Sequence, residues 1–185
     1  MKIQKKKITI GGIQQSGKTY FARNKLVANY KKPLLYEVNP DYRECKNLLI
    51  YKPKNLSPEL LNEFCEKVKA LAIAGKIDAF ILDEADMFFT NNIGQLNHLN
   101  DLVINHAHYD LALIFITRRP QDIPAKIVES SHILIMFKVE GKNVFDRLRG
   151  ISEELEEAVK KLDYEKRNYV IKEIGQHPVI HNHLP

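Results

Sequence analysis

The chain is poor in cysteine. Cys45 and Cys65 are the only two among 185 residues. Neither lies at a Cys/His spacing typical of a zinc site, and two isolated thiols do not build a disulfide framework. We therefore expect two reduced thiols, as in a cytoplasmic protein.

Long apolar segments are also missing, since no run approaches the roughly 20 residues that cross a bilayer. The stretch from Met1 to Lys7 is basic, like the start of a signal peptide, but Gly11 and Gly12 interrupt the apolar stretch that follows. We therefore expect no membrane contact. The lysines of this stretch are either a solvated lead-in to the first strand or an arm that binds DNA.

No linker or low-complexity segment divides the chain, and 44% of its residues are hydrophobic. This composition predicts one domain over residues 1–175 and a C-terminal tail over 176–185. The net charge of +5 favours a polyanionic partner, although nucleotide binding alone accounts for part of it.

A glycine-rich loop follows the first apolar run, Ile8 to Gly11, and precedes a helical pattern. Two glycines separated by four residues, then Lys-Thr, are typical of the loop that binds nucleotide phosphates. The alternative is a chance glycine-rich turn between a strand and a helix. The predicted nucleotide-binding residues are Gly12, Ile13, Gln14, Gln15, Ser16, Gly17, Lys18, Thr19 and Tyr20.

The chemistry of a triphosphate explains this pattern. Gly12 and Gly17 permit a tight curl that turns backbone N–H groups toward the anion. Lys18 is expected to reach the β and γ phosphates as a catalytic residue, and the Thr19 hydroxyl to ligate Mg²⁺. The predicted cofactors are thus ATP and Mg²⁺.

A second run, Ala79 to Leu82, has the pattern of a buried strand and ends at two carboxylates. Asp83 is predicted to hold Mg²⁺, and Glu84 to activate the attacking water as a catalytic residue. One further strand, Leu34 to Val38, lies between this run and the glycine-rich loop in the chain. This order resembles the additional-strand, RecA/FtsK-like branch of P-loop proteins, a three-layer α/β fold with a mainly parallel central sheet.

The remaining pattern predicts helices and strands around these motifs. Ser57 is expected to cap a helix whose apolar stripe is Leu61, Phe64, Val68 and Leu71, and which Gly75 ends. A second stripe is Ile93, Leu96, Leu99, Val103 and Ala107. Further strands are predicted at Leu48–Tyr51 (or a covered loop), Leu111–Ile116, Ile133–Val139 and, last, Tyr169–Ile171, with a loop at 141–150 and a helix capped by Ser152.

Three aromatic or sulfur side chains, Met87, Phe88 and Phe89, follow the two carboxylates. They are either core or subunit-contact residues, or stack on nucleic acid bases.

The histidines of the tail, His177, His181 and His183, form either a metal site or part of an edge-packed or disordered terminus.

The strand Leu111–Ile116 ends in Thr117-Arg118-Arg119-Pro120. If it lies between the strands of the two earlier motifs, Arg118 faces the γ phosphate as a catalytic residue. The alternatives are that these arginines bind the DNA backbone or cap the sheet.

The chain resembles small members of the FtsK/HerA superfamily of DNA-pumping ATPases, which includes viral genome-packaging ATPases. Besides the two general nucleotide motifs, Asn39-Pro40-Asp41-Tyr42 and Thr117-Arg118-Arg119-Pro120 carry the resemblance. The chain departs from many relatives at Arg118, where they have a glutamine that senses the γ phosphate.

This resemblance implies a hexameric ring around double-stranded DNA, with ATP at each subunit interface and an arginine finger from the neighbouring subunit. The candidates for that finger are Arg147, Arg149 and Arg119. It further implies a viral or plasmid packaging motor in the cytoplasm, the host's if viral, with viral capsid or portal-vertex proteins as partners. The alternatives are a nucleotide-gated assembly ATPase of the filamentous-phage type and, less favoured by the Asp83-Glu84 pair, a small-molecule kinase.

Overall fold

Eight strands form one sheet in the computed structural model, which describes residues 4–42, 45–89 and 95–182. The strands are β1 Lys7–Gly11, β2 Pro33–Tyr36, β3 Leu49–Tyr51, β4 Ala79–Leu82, β5 Ala112–Thr117, β6 Ile133–Met136, β7 Tyr169–Glu173 and β8 Val179–His181. Their order across the sheet is β3-β2-β4-β5-β1-β6-β7-β8. The pairings among β1 to β6 are parallel, whereas β7 and β8 pair antiparallel at one edge.

Helices cover both faces of this sheet. They are α1 Lys18–Phe21, α2 Pro58–Ile73, α3 Asn97–Asn105, α4 Ala125–Glu129, α5 Lys142–Ile151 and α6 Glu153–Lys160. A π-helical turn, Ala22–Leu26, and a 3₁₀ turn, Val27–Asn29, continue α1. Further 3₁₀ turns are Ala85–Met87, His106–Tyr109 and Pro120–Asp122.

Two hydrophobic cores lie on opposite faces of the sheet. Along β5, Leu113 and Phe115 belong to the core that also contains α2, α3, α5 and α6, whereas Ile114 and Ile116 belong to the core under α1. Successive strand residues point to opposite faces. Because both faces are covered, the central strands are continuous apolar runs rather than alternating ones. The predicted three-layer α/β fold with a mainly parallel sheet is confirmed.

β5 lies between β1 and β4. Ile116 pairs with Ile10 of β1, and Ile114 pairs with Ile81 of β4. Because the three strands are parallel, their C-terminal ends meet at one edge of the sheet. The glycine-rich loop, the two carboxylates and the Thr117–Pro120 segment therefore converge there, which is the condition set above for a role of Arg118.

Several local predictions are confirmed. β4 has the predicted bounds, and β3 forms as an edge strand. The Ser57 hydroxyl accepts a hydrogen bond from Leu60 N at the start of α2, and Ser152 caps α6 in the same way through Leu155 N. Gly75 follows α2 with a φ of 62°, where a residue without a side chain is favoured.

The prediction of a loop over 141–150 is wrong, because this segment forms α5. Val144 and Leu148 lie one helical turn apart and are both buried, so the segment has an apolar face that packs on the sheet. The glycines at its two ends, Gly141 and Gly150, suggested a loop. Gly141 in fact precedes the helix as its N-cap residue, and Gly150 lies within it.

Three smaller predictions also need correction. Leu71 is exposed and Ala72 is buried on that face of α2 instead, because the stripe follows the 3.6-residue period. α3 ends at Asn105, so Ala107 is exposed, and the buried side chain at this end is that of His106, which bonds to Leu111 O over 2.9 Å. Ile93 lies outside the described residues. Lys7 is not solvated: it opens β1, and its Nζ donates to Ser130 Oγ over 2.8 Å.

β7 is not the last strand, since β8 follows it within the segment predicted to be a tail. β8 lies at the edge of the sheet, with Val170 opposite Ile180. His177 Nδ1 lies 2.8 Å from a carboxylate oxygen of Glu154, and His183 lies outside the described residues. Over the ranges that the structure describes, no three His, Cys, Asp or Glu side chains are grouped as a metal site, and no helix is long and apolar enough to cross a membrane.

Candidate nucleotide-binding site

The glycine-rich loop connects β1 to α1 and depends on both of its glycines. Gly17 has a φ of 107°, a conformation that side-chain-bearing residues rarely adopt. A Cβ at Gly12 would lie 2.7 Å from Phe137 Cβ and 2.7 Å from Ser16 Oγ, so no side chain fits. Ile13 N donates to Lys138 O over 2.9 Å and joins the loop to the segment that follows β6.

Lys18 lies under this loop and is buried. Its Nζ donates to the carbonyl oxygens of Gly12 and Ile13 over 2.7 and 2.8 Å. Burial lowers the pKa of Lys18 to about 8, although the charges of Glu84 and Asp83 oppose this effect. The ammonium group is thus held at the loop by two carbonyls, with carboxylates nearby and no direct ion pair to them among the described residues.

Asp83 follows β4 and is 3% exposed. Burial, and then the charge of Glu84, raise the pKa of Asp83 to about 7. Its Oδ1 accepts from Glu84 N over 3.0 Å. A buried carboxylate of this kind is stabilised by a cation, because isolated negative charge is costly away from water.

Glu84 is held by two side chains from neighbouring strand ends. Arg118 Nε lies 2.7 Å from Glu84 Oε2, and Asn39 Nδ2 donates to Oε1 over 3.2 Å. Glu84 itself has a φ of 48°, in the left-handed region that is unusual for a glutamate. Burial raises the pKa of Glu84, while Arg118 opposes this shift.

Asp86 joins the end of β5 to the turn after β4. Its Oδ1 accepts from Thr117 Oγ1 over 2.8 Å and from Arg118 N over 3.2 Å. Thr117 Oγ1 in turn accepts from Arg119 N over 2.9 Å. These bonds fix the backbone of Arg118, and so the point from which its side chain reaches Glu84.

A cleft of about 670 Å³ contains the predicted catalytic and metal residues together. Lys18, Thr19, Asp83, Glu84 and Arg118 all line it. The lining residues that the sequence does not assign to the site are Val38, Asn39, Pro40, Asp41, Leu56 and Met87.

The residues of this cleft fit a magnesium triphosphate. Thr19 and Asp83 offer a hydroxyl and a carboxylate oxygen, the donor types that Mg²⁺ prefers. Ser16 Oγ is buried in the loop and has no hydrogen-bond partner within the described part of the chain, and Gly12 leaves the space that a Cβ would fill. A phosphate oxygen can supply the partner that Ser16 lacks.

None of the three finger candidates lines this cleft. Arg119 is an exposed side chain 3.7 Å from Asp122, and Arg147 Nη2 donates to Gln121 O over 3.2 Å. Arg149 forms two hydrogen bonds with Glu156 of its own chain, over 2.7 and 2.8 Å. The assignment of a finger among them stays a prediction.

The residues after Asp86 divide between the core and the surface. Phe88 and Phe89 are buried, and Phe88 packs edge-on against Tyr36. Met87 is 47% exposed and lines the cleft. Asn39 begins the segment Asn39-Pro40-Asp41-Tyr42 that carries the family resemblance, but the sequence alone assigns it no role at the site. Asp86 belongs to no motif. Both residues follow a strand, or the turn after it, at the edge where the strand ends converge, and that position is the signal for Asp86.

A glycine-rich loop over a buried lysine, beside a strand that ends in two carboxylates, defines the P-loop NTPase class of fold. Solved structures agree with this class. The chain is similar to the genome packaging NTPase B204 from Sulfolobus turreted icosahedral virus 2 in complex with ATP-γS, with a TM-score of 0.80 and 19% identity over 100% of this chain and 99% of that one.

Two further structures have the same fold. One is that viral NTPase in complex with AMP, with a TM-score of 0.80 and 20% identity over 100% of this chain and 99% of the other. The second is B204, the DNA-packaging ATPase from Sulfolobus turreted icosahedral virus, with a TM-score of 0.79 and 16% identity over 99% and 98% of the two chains. No protein-family model and no curated protein matches the chain.

Proposed function

We propose that this chain is a Mg²⁺-dependent ATPase that moves double-stranded DNA, as the packaging motor of a virus or plasmid. The observation that carries the proposal is the convergence of Lys18, Asp83 and Glu84 in one cleft at the C-terminal edge of the parallel sheet. The fold shared with a genome-packaging NTPase and a DNA-packaging ATPase supports DNA as the partner.

Each side chain has a role that its position supports. Lys18, now bonded to two carbonyls of the loop, turns its ammonium group to the β and γ phosphates. Thr19 and Asp83 hold Mg²⁺, which neutralises charge on the phosphate oxygens when it is bound. Arg118 directly follows β5, the strand between those of the two nucleotide motifs, and stabilises negative charge at the γ phosphate.

Glu84 orients water and accepts its proton as the oxygen attacks the γ phosphorus. The bond from that phosphorus to the β–γ bridging oxygen breaks, and ADP and phosphate leave. Burial raises the pKa of Glu84, and a carboxylate of higher pKa is a stronger base. Arg118 and Asn39 keep the carboxylate in place before the nucleotide arrives.

The motor is a homo-oligomeric ring, hexameric by the resemblance to FtsK/HerA ATPases, and Arg119, Arg147 or Arg149 reaches the neighbouring site. The pair of Arg149 with Glu156 favours the other two arginines. The ATPase domain extends past residue 175, because β8 pairs with β7 in the same sheet. It acts in the cytoplasm, with viral capsid or portal-vertex proteins as further partners.

The particle mass in solution tests this assembly. The chain should form a ring with ATP, Mg²⁺ and duplex DNA, and should hydrolyse ATP. Lys18→Ala should lose nucleotide binding or turnover while the chain keeps its fold, because the ammonium group serves phosphate and its two hydrogen bonds stabilise only the loop. Unchanged turnover in Lys18→Ala would contradict the assignment of the loop to phosphate binding. A monomeric mass with ATP, Mg²⁺ and duplex DNA would contradict the proposed ring.

A further inference from the structure

A second, smaller cleft of about 270 Å³ adjoins the glycine-rich loop. It is lined by Gln15, Gly17, Lys18, Thr19, Tyr20 and Arg167. Five of these residues belong to the loop and α1, and Arg167 alone comes from elsewhere, from the turn between α6 and β7. We infer that this cleft holds the sugar and base of the bound nucleotide, and that Arg167 packs against the base. The inference deepens the proposed function and rests on it.

The direction of the triphosphate follows from the two clefts. Gln15, Lys18 and Thr19 line both of them, so both lie along the same loop. Asp83 and Glu84 line only the larger cleft, so the γ phosphate lies there. A triphosphate chain that starts beside Glu84 and follows the loop delivers its nucleoside to the other cleft.

Arg167 is free to meet a ligand at this place. Its side chain is exposed and makes no ion pair within residues 4–42, 45–89 and 95–182. A guanidinium group is planar and stacks on aromatic faces, which every nucleobase presents. The planar guanidinium of Arg167 at this cleft therefore suits the aromatic base of a nucleoside better than a simple anion.

The turn that carries Arg167 is held firmly. Asp163 N donates to Asn168 Oδ1 over 2.8 Å, and Arg167 N donates to Tyr164 O over 3.2 Å. Arg167 has a φ of 47°, in the left-handed region. These bonds fix where the side chain leaves the turn.

The turn is also tied to the glycine-rich loop. The Tyr164 hydroxyl lies 3.5 Å from Gln14 O and 3.5 Å from Gln15 Oε1. Below it, Tyr169 at the start of β7 packs on Phe21 of α1, with 4.9 Å between the ring centroids. The contacts of Tyr164 with the loop and of Tyr169 with α1 thus fix the position of Arg167 relative to the loop. They also give Gln15 a role, as a hydrogen-bond partner of Tyr164.

Calorimetric titration of the full chain with AMP, ATP and tripolyphosphate tests the inference. Arg167→Ala should weaken AMP and ATP about tenfold, as the loss of base stacking does, and leave tripolyphosphate unchanged. Arg167→Lys keeps the charge but loses the planar group, so it should resemble Arg167→Ala. The matched control is Lys166→Ala on the same turn, whose side chain forms only an exposed 3.9 Å pair with Asp163 and which should bind all three ligands like the wild type.

The outcomes separate the inference from the proposed function. If the wild type fails to bind ATP, the proposed function fails. If the wild type binds ATP and Arg167→Ala binds AMP equally well, the nucleoside cleft is refuted while the ATPase stands. If tripolyphosphate weakens as much as AMP, or Arg167→Lys restores wild-type affinity, Arg167 acts on phosphate charge and not on the base.

Discussion

Arg118 and Glu84 form an ion pair across the ends of β5 and β4, with Nε 2.7 Å from Oε2. Glu84 is the proposed base, and Arg118 is the group proposed to stabilise charge at the γ phosphate. The pair therefore holds together two side chains that the proposed reaction uses. Arg118 also remains 39% exposed, so it can turn from the carboxylate to an incoming phosphate.

Arg118→Ala should lower kcat about 100-fold and change ATP affinity little, because it removes a charge that acts mainly on the transition state. Arg118→Gln should retain more activity, since an amide still donates a hydrogen bond. In a Glu84→Gln background, Arg118→Ala should cost little more, because the two residues act together. Wild-type turnover in Arg118→Ala would contradict this role.

Glu84→Gln should bind ATP with near wild-type affinity and lose turnover by about 1000-fold, since the amide cannot accept the proton of water. Single-turnover hydrolysis and equilibrium binding measure the two effects separately. Glu63→Gln, the same change on the exposed face of α2, is the matched control and should behave like the wild type. If Glu84→Gln hydrolyses ATP at a rate comparable to that of the wild type, another residue must be the general base.

Asn39→Ala should lower kcat about tenfold, as expected for one lost hydrogen bond to a charged group. Asn39→Asp should lower it further, because a carboxylate would face Glu84. Steady-state kinetics at saturating ATP measure both, and melting temperatures should stay near that of the wild type because Asn39 is exposed. The contact with Glu84 has no function if both variants turn over normally.

Glu156 makes stability depend on pH. Hydrogen bonds from Arg149 and Lys160 lower the pKa of Glu156 to about 2, below the roughly 4.3 of an unfolded glutamate. The ionised Glu156 carboxylate therefore contributes its full amount to the free energy of unfolding above pH of about 5. This contribution is lost as the pH falls toward 2. Denaturant unfolding should show Glu156→Gln less stable than the wild type at pH 7 and the difference shrinking at pH 3. A difference that does not change with pH would contradict this.

The sequence could predict the elements whose signals are local. β4 is a continuous apolar run, and Ser57 stands before Pro58 and an early acid, so neither depends on distant residues. α5 was missed because Gly141 and Gly150 outweighed the helical spacing of Val144 and Leu148. Whether this segment forms a helix depends on the packing of Val144 and Leu148 on the sheet. That packing is seen only in the structure.

The candidate site divides in the same way. Lys18 and Glu84 stand in motifs whose spacing reflects the chemistry of phosphate. Asn39 and Arg167 reach the site from segments far away in the chain, and their roles depend on which strands are neighbours and on how one turn is anchored. No spacing rule relates such residues to the loop.

The most direct test of the central claim is the steady-state ATPase rate of the wild-type chain with Mg²⁺, measured with and without double-stranded DNA. A DNA-moving ATPase should hydrolyse ATP faster when duplex DNA is present, and Glu84→Gln should abolish both rates. A rate that duplex DNA leaves unchanged, in a chain that hydrolyses ATP, would contradict the motor function while leaving nucleotide hydrolysis intact.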